Sequence, residues 1–374
     1  MVRRRVNHAA PIMASSFETL ASQAPRWRGL PAFWQGRPEP DRQLASEDVM
    51  KAVVVENYDR IENITIRDVA RPELSAGLVR VRIQAAAVGF VDGLKVQGLY
   101  QTKDPLPFTP GSEFAGVVDE VAADVKGYAV GTPVIGMARN GGLAEYICVP
   151  SAELFVTPNG IQPEVGASFF ANYLTALYAL SARGKLRSGE ILLVLGAAGG
   201  VGIAAVQVGK LLGGRVIAAA STEEKRQFAL KFGADAVLDY TRNGWRDELR
   251  ELTGGHGADV IYDPVGGDLS LEAFRSIAWN GRHLVIGFAS GTIPALRFNL
   301  PLLKGGALLG VDLAQIGRRE PDVRDQVIAQ LFTWLSEKTL VPVVGRVFAF
   351  EDFREAFTAM TTRSALGKMV VRIG

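Results

Sequence analysis

Residues 189–226, GEILLVLGAAGGVGIAAVQVGKLLGGRVIAAASTEEKR, constrain what this chain can fold into more than any other stretch. An unbroken apolar run, Ile191 to Leu195, reads as a buried strand. It enters a turn holding Gly196, Gly199, Gly200, Val201 and Gly202. The turn opens a helix with apolar Ile203, Val206, Val208, Leu211 and Leu212, and a second apolar run, Val216 to Ala220, follows. Strand, glycine turn, helix and strand in this order hold a dinucleotide pyrophosphate. Turn glycines leave the backbone bare so that phosphate can approach the amides, and the helix N-terminus offers unpaired N–H groups and a partial positive charge. The first glycine of the usual G-x-G-x-x-G spacing is here Ala197, so the flanking elements carry the reading rather than the bare motif.

The same stretch addresses which nucleotide. Sites for NAD place an acidic residue at the end of the second strand, against the ribose 2′-hydroxyl. Here that place holds Ala220, then Ser221, and Lys225 stands about one helical turn on. With no carboxylate to repel a 2′-phosphate and a cation to meet it, the expected cofactor is NADPH. Glu223 and Glu224 suit a solvated first helical turn.

Beyond this unit the chain is long enough, at 374 residues and 48% hydrophobic, for two packed domains. It has no apolar run of transmembrane length, so no membrane partner is expected. Cys148 is the only cysteine, which excludes a disulfide framework and favours a reducing, cytoplasmic location. The seven arginines of residues 1–50 exceed the five acids there and account for the whole net charge of +2. A neutral body gives no electrostatic reason to expect nucleic-acid binding.

Residues 1–49 show no sustained period and are expected to be a disordered extension, an upstream start or tail rather than a targeting peptide. Short strands then follow between glycine turns: MKAVVVENY, ITIRDVA, LVRVRIQAAAVG, FAGVVDEVA, TPVIGMA and AEYICVP. From Pro163 an apolar helix pair is expected, and after the dinucleotide unit strands and helices alternate, which predicts a parallel sheet covered on both faces. The reading places LSLEAFRSIAW in a helix, ALLGVD in an edge strand and VRDQVIAQLFTWLSEKTL in a long helix. The final strand is expected to return to the first domain.

This arrangement resembles the medium-chain dehydrogenase/reductase superfamily, and within it the zinc-free quinone oxidoreductase branch, the zeta-crystallin-like NADPH:quinone reductases. The resemblance runs from Met50 to Gly374 and rests on VGFVDGLKVQGLY (88–100), LPFTPGSEFAGVV (106–118), LGAAGGVG (195–202), DPVGG (263–267), VIGFASG (285–291) and LGKMVV (366–371). It implies an α/β fold: a GroES-like β-rich catalytic domain, residues 50–172 with 338–374, and a doubly wound Rossmann cofactor domain, residues 173–337. Lys225 and Tyr240 match the family's 2′-phosphate contacts, with Ser221 beside them. Thr175 matches a threonine near the nicotinamide, Phe288, Ala289 and Ser290 a loop at its carboxamide, and Asp263, Pro264 and Val265 a loop at the ribose. Tyr100 matches a tyrosine lining the substrate cleft and is the candidate catalytic residue.

Zinc relatives carry a cysteine where this chain has Gly89 and a histidine where it has Ser112; the four-cysteine lobe is missing too, so no metal is expected. His283 reads as a packed strand residue, His256 as an exposed turn residue and Cys148 as a small buried hydrophobe. Many quinone reductases have asparagine at the place of Gly89, and some a second tyrosine at that of Leu94. Hydride transfer without metal fits a quinone or an activated alkene, not alcohol oxidation. The resemblance thus implies hydride transfer from NADPH to a small-molecule electrophile, a quinone first. Enones and acyl-CoA thioesters are the alternative, and an NADPH-binding structural or RNA-binding crystallin-like protein the reading from another class. The edge strand at 307–312 predicts a homodimer.

Overall fold

The computed structural model describes residues 48–374. The expected N-terminal extension lies outside the described residues apart from Asp48 and Val49, the latter already in the first strand.

Strands β1 (Val49–Val54) and β2 (Thr65–Ala70) pair antiparallel. A seven-stranded sheet gathers β3 (Leu78–Val88), β4 (Glu113–Val121), β5 (Pro133–Met137), β6 (Tyr146–Pro150) and β7 (Leu154–Val156) with the distant β14 (Val344–Phe348) and β15 (Lys368–Arg372). Its order is β14-β15-β3-β4-β5-β7, with β6 also on β3. β6 pairs with Leu78–Arg82 and β15 with Ala85–Val88, so the two strands divide β3 between them. The last strand therefore returns to the first sheet, as the sequence predicts. Small residues let a helix settle here: α2 (Pro163–Ala167) packs Gly166 so close that a Cβ on it would lie 3.0 Å from Ile135 and 3.2 Å from Ala115.

The second sheet is parallel throughout: β8 (Ile191–Leu195), β9 (Arg215–Ala219), β10 (Ala236–Leu238), β11 (Ala258–Asp263), β12 (Ile277–Val285) and β13 (Ala307–Gly310). Its order, β10-β9-β8-β11-β12-β13, reverses between β8 and β11. Open α/β sheets bind ligands at that reversal, beyond the carboxyl ends of the strands. All five residues of β8 are buried, as an apolar run covered on both faces requires. The crossovers are α4 (Gly200–Leu211), α5 (Glu223–Lys231), α6 (Trp245–Leu252) and α7 (Gly267–Arg275).

Between the sheets runs α3 (Phe170–Leu177), which continues as a π-helical turn, Tyr178–Arg183, closed by a Gly184 N–H to Ala179 O bond of 2.7 Å. Phe155 of β7, Phe169, Phe170 and Phe332 of α10 (Pro321–Ser336) form one aromatic cluster, with Phe155–Phe170 centroids 5.0 Å apart and Phe169–Phe332 5.4 Å. The expected domain boundary at 172/173 falls inside α3. Ile277 to Trp279 belong to β12 rather than to the preceding helix, because the Ser276 carbonyl is taken by Ala258 N and Ile277 pairs with Ala258. Three short helices were not expected: α1 (Phe90–Val96), α8 (Asn299–Lys304) and α9 (Leu313–Arg319). α11 (Phe353–Thr361) lies between β14 and β15. No helix among the described residues is long and apolar enough to cross a membrane.

Candidate active site

Gly199 is the N-cap of α4, and no side chain caps the helix, so its first-turn N–H groups face outward from the carboxyl end of β8. Gly196 turns the chain with φ of 59° and accepts the Gly199 N–H at 3.1 Å. A Cβ on Gly202 would collide with the Gly196 carbonyl oxygen, and one on Gly200 would lie 2.6 Å from Asn172 Nδ2. The turn with Gly199, Gly200, Val201 and Gly202 is thus a bare-backbone cradle whose shape fits a pyrophosphate. The cradle is tied to the other sheet: Gly367 N–H donates to Ala198 O at 2.8 Å, and Gly199 bridges Gly367.

At the end of β9, Ala220 is buried and Ser221 follows it, so no carboxylate occupies that place. Thr222 caps α5 by accepting the Lys225 N–H at 3.3 Å. Lys225 Nζ donates to the Arg363 carbonyl at 2.7 Å, and Arg363 Nη2 donates to the Ser290 carbonyl at 3.0 Å. Burial raises the Tyr240 hydroxyl above its ordinary value, offset in part by a hydrogen bond with Ser221 and the charge of Arg363. Ser221, Lys225, Tyr240 and Arg363 therefore converge. Glu223 is engaged by Arg226 and Gln227, which leaves Lys225 unpaired with it. The sequence reading missed Arg363, 138 residues from Lys225; its only local signal is a polar TTRS before Gly367, and it sits at φ of 58°.

Joined to this cluster by the Arg363–Ser290 bond, two loops are laced together. Pro264 O accepts from Ala289 N at 3.0 Å, and Val265 O from Ser290 N at 2.8 Å. A Cβ on Gly266 would lie 2.9 Å from Phe288 Cδ1. Val265, Phe288 and Ser290 are brought together in this way. Asp263 organises them: Oδ1 accepts Val265 N at 2.8 Å and Gly266 N at 3.0 Å, while Oδ2 accepts the Ser270 hydroxyl and contacts His283 Nε2 at 2.9 Å. Burial works against the Asp263 carboxylate, yet His283, Ser270 and the Gly266 N–H together hold its pKa below the usual range. His283 is packed within β12, but it also holds this loop in place, which its sequence context did not reveal. Thr175, partly exposed on α3, donates its hydroxyl to Ala171 O at 2.6 Å.

Where zinc relatives place their ligands, this chain has a buried charge cluster. Gly89 caps α1, and its N–H donates to Asp92 Oδ2 at 2.8 Å. A Cβ on Gly89 would lie 3.2 Å from Asp92 Oδ2 and 3.5 Å from Lys368 Nζ. Glu113 pairs with Lys368 through Oε2 and accepts Ala171 N through Oε1 at 2.6 Å. Burial pushes the Asp92 carboxyl up against the pull of Lys95, the Gly89 N–H and Lys368, and its Oδ1 has no partner among the described residues. A tetrahedral zinc needs thiolate or imidazole donors, and Gly89 and Ser112 offer neither. Among the described residues, no three His, Cys, Asp or Glu side chains come together as a metal-binding group.

Tyr100 lies half-buried on the loop after α1, accepting weakly from Gln101 Nε2 at 3.5 Å. Burial raises its pKa, so the hydroxyl keeps its proton at neutral pH. The loop is pinned by buried Asp104, which pairs with Arg139 and whose carbonyl accepts the Tyr58 hydroxyl. Cys148 is buried with its thiol pushed up to about 11 and is unreactive, and exposed His256 contacts Asp259 at 2.8 Å.

Two family models match the chain: "Alcohol dehydrogenase GroES-like domain" over residues 75–159 and "Zinc-binding dehydrogenase" over residues 200–333. The chain is 34% identical over 341 residues to quinone oxidoreductase-like protein 2 of Bos taurus, covering 91% of this chain and 95% of that protein. Among solved structures it is similar to the quinone oxidoreductase of Thermus thermophilus, also determined in complex with NADPH, at 35% identity and a TM-score of 0.76 over 87% of this chain and 100% of the other. A mycobacterial protein solved with NADPH aligns at 30% identity and a TM-score of 0.80, again over 87% and 100%.

Proposed function

Because the chain belongs to the quinone oxidoreductase branch of the medium-chain dehydrogenase/reductase superfamily, we propose that it is a zinc-independent reductase transferring hydride from NADPH to a quinone. One observation carries the cofactor part: Ser221, Lys225, Tyr240 and Arg363 converge at a strand end that lacks a carboxylate. Two hydroxyls and two cations there match a 2′-phosphate. Similarity to two proteins solved with NADPH supports the same assignment.

When bound, NADPH supplies the hydride. The chain's own residues provide placement and charge. The glycine cradle and the α4 N-terminus fix the pyrophosphate. Thr175 and the laced loops bearing Val265, Phe288 and Ser290 would hold the reactive ring end and leave it open to the acceptor carbon. Tyr100 covers the acceptor side, excludes water and, being protonated, donates a hydrogen bond to an acceptor oxygen as negative charge develops there. No step needs a metal, because a quinone spreads the incoming charge over an aromatising ring.

A second reading, reduction of an enone or enoyl thioester, draws on Gly89, which leaves the acceptor cleft without the asparagine side chain of many quinone reductases. Purified protein with NADPH, offered an ortho-quinone, an enone and an enoyl-CoA in parallel, tests both. The quinone is expected to give the fastest NADPH oxidation. Consumption with the enoyl-CoA alone sinks the quinone reading, and tight NADPH binding with no turnover favours a non-enzymatic role.

A further inference from the structure

Loop 138–142, which follows β5, is fastened to the loop before β4. Ala138 N donates to Ser112 O at 2.9 Å, Gly141 N to Thr109 O at 2.8 Å and Gly142 N to Gly111 O at 2.8 Å. The two segments approach so closely that a Cβ on Gly111 would lie 2.8 Å from Leu143 N. Arg139 is thus one residue beyond the partner of Ser112, at the cleft.

Two groups of Arg139 are taken. Its carbonyl accepts Lys95 Nζ at 2.5 Å, and its Nε donates to buried Asp104. Lys95 Nζ also reaches Asn140 Oδ1 at 3.0 Å and Asp104 Oδ2 at 3.8 Å. The two Nη groups have no partner among the described residues, and the side chain is 43% exposed. Arg282 shows the contrast: its Nη groups bond Glu190 and the Asp259 and Lys185 carbonyls. Arg139 is aimed by a carboxylate on one side and leaves its fork open on the other. Tyr100 lies within electrostatic reach of Arg139, Asp104 and Asp312, the last with its carboxylate occupied by the Ala314 N–H at 3.0 Å. Lys95 also faces Asp92, so two carboxylates, Asp92 and Asp104, stand against Lys95 and Arg139.

We propose that Arg139, oriented by Asp104, selects the acceptor by binding an anionic group that the acceptor carries, a carboxylate or phosphate, beside Tyr100. A guanidinium fork matches either group bidentately, and its rotamer is already fixed, so little entropy is lost on binding. This rests on the reading of the cleft as a hydride-acceptor site. It deepens that reading: the preferred acceptor is a charged one, such as a quinone whose ring carries a carboxylate or phosphate.

The test compares an ortho-naphthoquinone with the same ring bearing a carboxylate, in wild type, Arg139→Gln and Arg139→Lys. Taking the ratio of kcat/KM for the two acceptors within each protein cancels most of their intrinsic difference in reactivity. In Arg139→Gln the ratio is expected to fall by about tenfold or more, through KM rather than kcat, with Arg139→Lys in between. The same ring bearing a phosphate ester in place of the carboxylate separates phosphate from carboxylate recognition. A ratio unchanged in Arg139→Gln overturns the proposal. If wild type reduces neither quinone nor thioester, the acceptor reading itself has failed. Arg139 is then judged by equilibrium binding of naphthoate against its methyl ester in the presence of NADP+: selective binding of the acid, lost in Arg139→Gln, sustains it, and equal binding overturns it.

Discussion

Lys225 and Arg363 reach one point from positions 138 residues apart, joined through the Arg363 carbonyl. Removing either cation, by Lys225→Ala or Arg363→Ala, is expected to weaken NADPH binding by about tenfold to a hundredfold, the range for a charge-assisted hydrogen bond. NADH binding should change little; equal loss for both cofactors in a fluorescence titration would show that the pair does not meet the 2′-phosphate. Counting from the second strand places Ser221 and Lys225, and the family resemblance places Tyr240. Neither places Arg363, since only the return of β15 brings it there. Asp263 makes a second case at this scale. Its folded pKa is depressed, so its stabilisation is complete above the unfolded carboxylate value near about 4 and disappears as pH falls through the folded value. Asp263→Asn is expected to cost about 2–4 kcal/mol at neutral pH, as the bonds to His283 and Ser270 are lost. The cost should shrink near pH 3, as compared by denaturant midpoints; a pH-independent difference would assign the effect to packing instead.

Among the elements, β4, β15 and α3 are held by one buried link, Lys368–Glu113–Ala171. Lys368→Met leaves Glu113 buried and charged without its partner, at a cost of about 3–5 kcal/mol. Adding Glu113→Gln should restore most of it, because the amide oxygen still accepts Ala171 N while no charge remains. Additive losses in urea denaturation would mean that the two side chains do not act as a pair. None of this cluster was legible in the sequence: its members come from segments as far as 255 residues apart, and each reads alone as an ordinary surface charge. The unit β8–α4–β9 was legible, because its apolar runs and glycines are contiguous and its burial follows from them. The π-turn after α3 and the short helices α1, α8 and α9 were not, since seven residues or fewer give no stable period and tertiary contacts decide their form.

For the whole molecule, the parallel sheet ends in β13 with no strand beyond it among the described residues, and Leu308 on that edge is 49% exposed. Beside it stand Phe298, Leu302 and Leu303, exposed at 92%, 78% and 67%. An open edge flanked by apolar side chains is an aggregation hazard unless it is covered, and a second copy presenting the same edge covers both. The expected state is a homodimer by light scattering at micromolar concentration, with Leu308→Lys combined with Leu302→Asp giving a folded monomer. A monomeric wild type would remove this proposal.

The division of β3 between β6 and β15 also sets an order of events during synthesis. All six strands of the parallel sheet lie within residues 191–310, so that half can form while the chain is still growing on the ribosome. The other sheet has residues 78–156 early but keeps half of one edge of β3 bare until residues 368–372 emerge. Domains fold as units when their chain is available, and contacts of long sequence separation form last. A nascent chain therefore carries the glycine turn of the nucleotide site before Arg363 and the acceptor wall are in place. The Gly367-to-Ala198 bond that joins them is made only when translation has passed both. If the proposed reduction holds, competence for it is acquired only with the last strand.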